Sequence, residues 1–368
     1  MIRKENSTSE ISPVNPWRLC VAPMMEWTDR HCRSFHRLLS SHARLYTEMV
    51  TTGALLHGDV GRHLDFDAGE RPLALQLGGS EPADLARCAK LGQTWGYDEV
   101  NLNCGCPSER VQRGSFGVCL MSEPRLVADC VRAMLDAVSI PVTVKHRIGI
   151  DRNEEYGFVR DFVGHCFDAG CRVFVVHARN AWLDGLSPKE NRDVPPLRYQ
   201  VVRDLKRDFP DSTIVLNGGL TDAAGVRAAL DPGDRALDGV MLGRAAYQQP
   251  RLLAELDKDL FASVGRDDAT QLRSALADSD ARADTNEALE ALRLVGPMTE
   301  YLERAVARGA TPWSVIRHTL GLMHGLPGAR TWRRMLSDPA FVHAHGTQAL
   351  RSAARIAFEG RAADRIAA

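Results

Sequence analysis

Short β-prone runs recur along the chain, separated by segments whose apolar positions return every three or four residues. The runs fall at 18–23, 45–50, 73–78, 99–104, 142–147, 173–179, 213–219 and 239–244. Helical period fills most of the intervals, as at 82–95 after the third run and 124–138 after the fourth, the latter with Ser122 as its expected N-cap. Strand alternating with helix predicts a parallel sheet, and eight repeats predict an α/β protein built as a closed (β/α)8 TIM barrel. A doubly wound open sheet is the alternative, but no G-x-G-x-x-G follows the first strand.

The barrel pattern stops near Pro250. Residues 262–290 carry seven acids against three Arg with little apolar periodicity, which reads as a linker or an exposed insertion. Helical period returns at 291–307, closed by Gly309, and at 312–324 and 348–359. The expected organisation is a disordered leader at 1–16, a catalytic barrel at 17–261, an acidic segment at 262–290 and a smaller all-helical C-terminal domain at 291–368.

Composition narrows the setting. With 368 residues, 44% hydrophobic and 25% charged, the chain suits one large domain plus a smaller one. No apolar run is long enough for a signal peptide or a membrane span. The nine cysteines are odd in number, end at Cys171 and contain no C-x-x-C pair, so a reducing cytoplasm is expected. The spacing of Cys104, Cys106 and Cys119 fits no standard zinc site, and no metal is expected. The net charge of -1 conceals an asymmetry: residues 291–368 hold eleven Arg, no Lys and five acids, leaving the rest of the chain at -7. A basic C-terminal domain suits a polyanionic partner, although a solvated Arg-rich helical surface has the same composition.

A barrel places its chemistry where the strands end at their carboxyl side. Those ends here carry Pro23 and Met24, Glu48, Gln76, Asn103 with Cys106, Lys145 with Arg147, His177 with Arg179, Asn217 with Gly218 and Gly219, and Gly243 with Arg244. Cations at such positions are costly to bury without an anion, though salt bridges to Glu48 would satisfy one or two. Cys106 follows the strand 99–104 in a turn broken by Gly105 and Pro107. A thiol there is suited to donating a proton to carbon, the other reading being a buried structural cysteine. Strand alternation sets Cys104 on the side of Leu102, opposite Asn103, where it packs, and turns His146 away from Lys145 and Arg147. Glycines after the seventh and eighth strands fit a phosphate site, and with a Gln, a Lys and a His on earlier strands they read as a flavin mononucleotide (FMN) site. In the C-terminal domain, Arg330, Arg333 and Arg334 surround Trp332, which suits phosphates and a stacked base or, equally, core packing.

Taken in order, the motifs APMMEWTDR at 22–30, LYTEMV at 45–50, QLGG at 76–79, NLNCGCPS at 101–108, VKHRIG at 144–149, HAR at 177–179, LSPKENR at 186–192 and NGG at 217–219 resemble the tRNA-dihydrouridine synthases. The runs 187–192 and 327–334 are similar to the A subfamily in particular. The resemblance implies an FMN enzyme that reduces the C5–C6 double bond of a D-loop uridine, U20 or U20a, in tRNA at the expense of NADPH. It implies that hydride passes from flavin N5 to C6 and that Cys106 protonates C5. Pro23, Met24, Met25, Gln76, Lys145, His177, Asn217, Gly218, Gly219, Gly243 and Arg244 would hold the cofactor. Asn103, Lys189, Arg192, Arg330 and Arg333 would meet tRNA. A monomer is expected, without membrane contact. Two other readings stay open: a dihydroorotate dehydrogenase-like flavin barrel that reduces a free small molecule, and a tRNA-binding protein without catalysis.

Overall fold

The computed structural model describes residues 15–231, 233, 236–262 and 280–358. Among these residues, nine parallel strands form one sheet: β1 (Leu19–Val21), β2 (Leu45–Tyr46), β3 (Val50–Thr51), β4 (Leu73–Gly78), β5 (Glu99–Cys104), β6 (Val142–Arg147), β7 (Val173–His177), β8 (Thr213–Asn217) and β9 (Gly239–Leu242). Their order is β1-β9-β8-β7-β6-β5-β4-β2, with β3 also on β4. A parallel bridge between Cys20 and Arg44 joins β1 to the approach of β2 and completes the ring. The barrel is therefore present, with β2 and β3 sharing one of its eight positions.

That sharing departs from the single run expected at 45–50. Leu45 and Tyr46 pair with Leu73 and Ala74, whereas Val50 and Thr51 pair with Leu77 and Gly78, so one extra residue bulges between them. The cause is local. The Thr47 hydroxyl accepts the Gln76 backbone N–H at 3.0 Å, replacing a ladder carbonyl, and Glu48 is thereby aimed at the barrel mouth.

Helices cover the outside, including Pro82–Trp95 and Pro124–Ala137 at their expected places. Ser122 does not cap the second of these. It ends a 3-10 turn, and Glu123 occupies the N-cap without a side-chain bond, because Pro124 already fixes the first helical residue and needs no N–H partner. Cys104 lies in the core between sheet and helices, on the Leu102 side. His146 is buried there as well, its ring 5.2 Å from that of Phe162, and burial pushes it down to about 4.

Beyond the barrel, helices at Asp280–Arg293, Val295–Ala307, Pro312–Ile316, Ala329–Leu336, Pro339–His345 and Ala349–Phe358 form a bundle. The helix expected at 312–324 stops early, passing into a 3-10 turn at Arg317–Thr319. There the chain meets the barrel: a Cβ on Gly321 would come within 2.7 Å of the Gln248 carbonyl oxygen. Arg317 donates to Asp29 at 2.6 Å, His318 lies 3.0 Å from the same carboxylate, and Tyr301 meets His31 at 2.8 Å. Against the cost of its burial, hydrogen bonds from His318, the Cys32 backbone N–H and Arg317 hold the Asp29 carboxyl well below its usual range. Of the acidic segment 262–290, residues 263–279 lie outside the described residues, as does the expected leader up to residue 14. No helix among the described residues is long and apolar enough to cross a membrane.

Candidate active site

At the carboxyl ends of the strands the barrel opens into a cavity of about 1180 Å³. Of the strand-end residues expected from the barrel, all but Arg179 line it, from Pro23, Met24 and Met25 after β1 to Gly243 and Arg244 after β9. Lys189 and Arg192, on the long connection after β7, complete its wall. Arg330 and Arg333 do not line it. They sit exposed on the helix Ala329–Leu336, with Trp332 between them fully buried. The indole Nε1 donates to the Thr319 carbonyl at 3.1 Å, so Trp332 is core and is not available for stacking on a base.

The position of Cys106 is set by its neighbours. Asn103 ends the inner face of β5, and its Oδ1 accepts the backbone N–H groups of Gly105 at 3.1 Å and Cys106 at 3.0 Å, closing a turn that the strand could not make alone. The half-buried thiol then lies 3.5 Å from the Ser108 hydroxyl. Around it stand cations. Lys145 and Arg147, at the end of β6, and Arg192 all feel the Cys106 sulfur electrostatically.

Arg147 is a residue whose role sequence alone did not show. Its guanidinium donates to the carbonyls of Gly105 at 3.3 Å, Asn180 at 3.0 Å and Asn191 at 2.8 Å, tying the Cys106 turn to the connection after β7. The K-x-R alternation marked it as a strand-end cation, but carbonyl partners distant in sequence leave no signal in the sequence. Arg30, Arg62 and His63 also line the cavity without having been singled out.

Burial without anions governs the electrostatics here. Lys145 makes no side-chain hydrogen bond or ion pair among the described residues, and burial together with Arg147 pulls it down to about 7. Arg147 is drawn down to about 9, chiefly by burial. His177, likewise without a side-chain hydrogen bond among the described residues, is pushed well below its usual range by burial and by Arg147, Lys145 and Arg179. The Nε of Arg179 is a buried donor with no acceptor among the described residues. Groups arranged this way lack an anion and fit one.

The turn after β8 provides its cradle. Asn217 is fixed by donating to the Met241 carbonyl at 2.8 Å. Gly218 and Gly219 then take positive φ values of 106° and 72°, and a Cβ on Gly218 would come within 2.6 Å of the His177 ring. Only glycine meets both demands, and the bared backbone lets an anion approach. Space beside Gly243 is open. The Arg244 side chain is engaged by Asp193 through two bonds of 3.0 and 2.5 Å, which straps the connection after β7 across to β9. The set of unpaired cations, carbonyl-fixed amides and glycine turns fits a flavin mononucleotide.

Comparison with known proteins gives a consistent answer. Residues 20–358 match the family model described as dihydrouridine synthase (Dus). The chain is 57% identical over 320 residues to the tRNA-dihydrouridine(20/20a) synthase of Pseudomonas aeruginosa, covering 87% of this chain and 89% of that one. With the protein of the same description from Salmonella typhimurium it shares 51% over 333 residues, covering 90% and 92%. With that from Escherichia coli strain K12 the identity is 52% over 324 residues, covering 88% and 86%.

Proposed function

The chain belongs to the dihydrouridine synthase family, and from that premise we propose that it reduces uridine 20 or 20a of tRNA to dihydrouridine, with FMN bound in the barrel mouth, NADPH as reductant and Cys106 as proton donor. The observation that carries this reading is the convergence, in one cavity, of a thiol on a fixed turn, unpaired cations and a glycine cradle.

In this reading Asn217, Gly218, Gly219, Gly243 and Arg244 hold the phosphate end of FMN, while Pro23, Met24, Met25, Gln76, Lys145 and His177 hold the rest. When bound, the flavin supplies the hydride that adds to uracil C6. Cys106 supplies the proton for C5, and Lys145, Arg147 and Arg192 stabilise the charge left on sulfur. The Ser108 hydroxyl accepts from the thiol at 3.5 Å and so helps to orient it. Asn103 meets the base, and Lys189 and Arg192 meet the RNA backbone at the rim. Extruding a stacked uridine to reach this depth costs roughly a few kcal/mol, which phosphate contacts by Arg330 and Arg333 help to offset.

The test is to reduce the flavoprotein with NADPH without oxygen and follow flavin reoxidation on adding unmodified tRNA. Reoxidation with dihydrouridine at position 20 or 20a in the product is expected. A flavin that NADPH reduces and tRNA leaves reduced would overturn the reading in favour of a small-molecule reductase.

A further inference from the structure

Below the cavity floor the barrel interior holds a carboxylate that the proposed chemistry does not use. Glu99, at the start of β5, is fully buried. Its Oε2 accepts Trp17 Nε1 at 2.7 Å and faces the Arg44 guanidinium at 3.3 Å. Its Oε1 accepts the hydroxyls of Tyr46 at 2.8 Å and Thr143 at 2.5 Å.

From Thr143 a chain of hydrogen bonds climbs to the mouth, made possible by the strand register, which sets Asn101 between Gln76 and Thr143. Asn101 Nδ2 donates to Thr143 Oγ1 at 2.7 Å, Gln76 Nε2 to Asn101 Oδ1 at 2.7 Å, and Asn103 Nδ2 to Gln76 Oε1 at 2.8 Å. Asn103 Oδ1 in turn takes the N–H groups of Gly105 and Cys106. Every bond points the same way, from the Cys106 turn down to Glu99. A carboxamide can be turned over, exchanging donor for acceptor, and in this column turning one over sets donor against donor at the next. Glu99 is the terminal acceptor that gives the lower end its direction.

We propose that Glu99 is a positioning residue for the reaction, acting through Thr143 and Asn101 to hold the amides of Gln76 and Asn103 in a single orientation. In that orientation each amide keeps one N–H outside the column, so the floor offers donors. A uracil ring that has taken hydride at C6 carries negative charge over C5 and O4 until C5 is protonated, and donors suit that charge. The same orientation fixes the turn that carries the thiol. The inference rests on the reading of the mouth as the site of uridine reduction.

Thr143→Val breaks the column without touching the cavity wall, and Glu99→Gln sets an N–H against donors without changing size. For Thr143→Val we expect flavin content and reduction by NADPH to stay within about threefold of wild type, while reoxidation by tRNA slows about tenfold or more. The loss should fall on kcat for tRNA with KM unchanged, and Thr143→Ser should restore it. If Thr143→Val does not fold, Glu99→Gln carries the same expectation. Wild-type tRNA rates in these variants, or an equal loss in both half-reactions, would overturn the proposal alone. A wild-type flavin that tRNA does not reoxidise would overturn the functional reading and this proposal with it.

Discussion

Two groups of cations in this molecule share a residue type and little else. At the barrel mouth, Lys145 and Arg147 share one cavity with the His177 ring, and burial lowers the proton affinity of each. On the helix Ala329–Leu336, Arg330, Arg333 and Arg334 stand in solvent around a buried Trp332. Crowded, desolvated cations are unfavourable until an anion joins them, so the mouth selects a bound anionic group at close range. Solvated cations cost nothing to keep and act on any polyanion, weakly and through screening water. The first arrangement suits an anionic cofactor, the second a large polyanionic substrate.

If the mouth cations hold the cofactor on their own account, the thiol among them should be separable from binding. Cys106→Ala is expected to retain flavin and its reduction by NADPH while turnover on tRNA falls by about 10² to 10⁴. Rapid kinetics of the two half-reactions would show it. Equal loss in both would mean that the thiol contributes to the cofactor site, and the contrast between holding and reacting would fail.

A second expectation concerns pH. Lys145 pairs with an anion only as the ammonium, yet in the ligand-free protein it loses its proton at about 7. A bound anion raises that value, so binding takes up a proton, and above about pH 7 the free protein has to recover it first. On the proposed reading the anion that meets Lys145 is the reduced isoalloxazine ring. The affinity of apoprotein for reduced FMN should therefore weaken with rising pH, by up to about tenfold per pH unit from pH 7 upward. Titration calorimetry in buffers of different ionisation enthalpy would report the proton uptake. Lys145→Met should bind more weakly and flatten this dependence. An unchanged pH profile in that variant would shift the role to Arg147.

The two regions were unequally legible in the sequence. Strand period placed β4, β5 and β6 residue for residue, and with them Gln76, Asn103, Lys145 and the turn of Cys106, because a parallel barrel gathers every strand end on one face. What stayed hidden depends on register and on partners distant in sequence: the three carbonyls held by Arg147, the pairing of Arg244 with Asp193, and the column from Glu99 to Asn103. Trp332 shows the limit most plainly. A Trp among arginines has the same pattern whether its ring faces solvent or core, and only the bundle's packing, with Thr319 as acceptor, decided between them.

The smallest effect expected belongs to the helical region, and it sharpens the contrast because it differs in kind. Arg330 and Arg333 neither line the cavity nor carry a mouth-like burial, so replacing both with Ala should leave flavin content and reduction by NADPH untouched. Removing one cation from a phosphate should lower the slope of log affinity against log salt by about 0.7 to 0.9, so the double variant should fall by between about 1 and 2 in slope. Near 0.1 M salt this amounts to roughly tenfold weaker tRNA binding, vanishing as salt rises and screening removes the wild-type advantage. The change should appear in KM for tRNA, with kcat preserved. A slope equal to wild type would place the grip on other residues, and a loss of kcat would mean that the helical cations reach into the chemistry, erasing the distinction between the two groups.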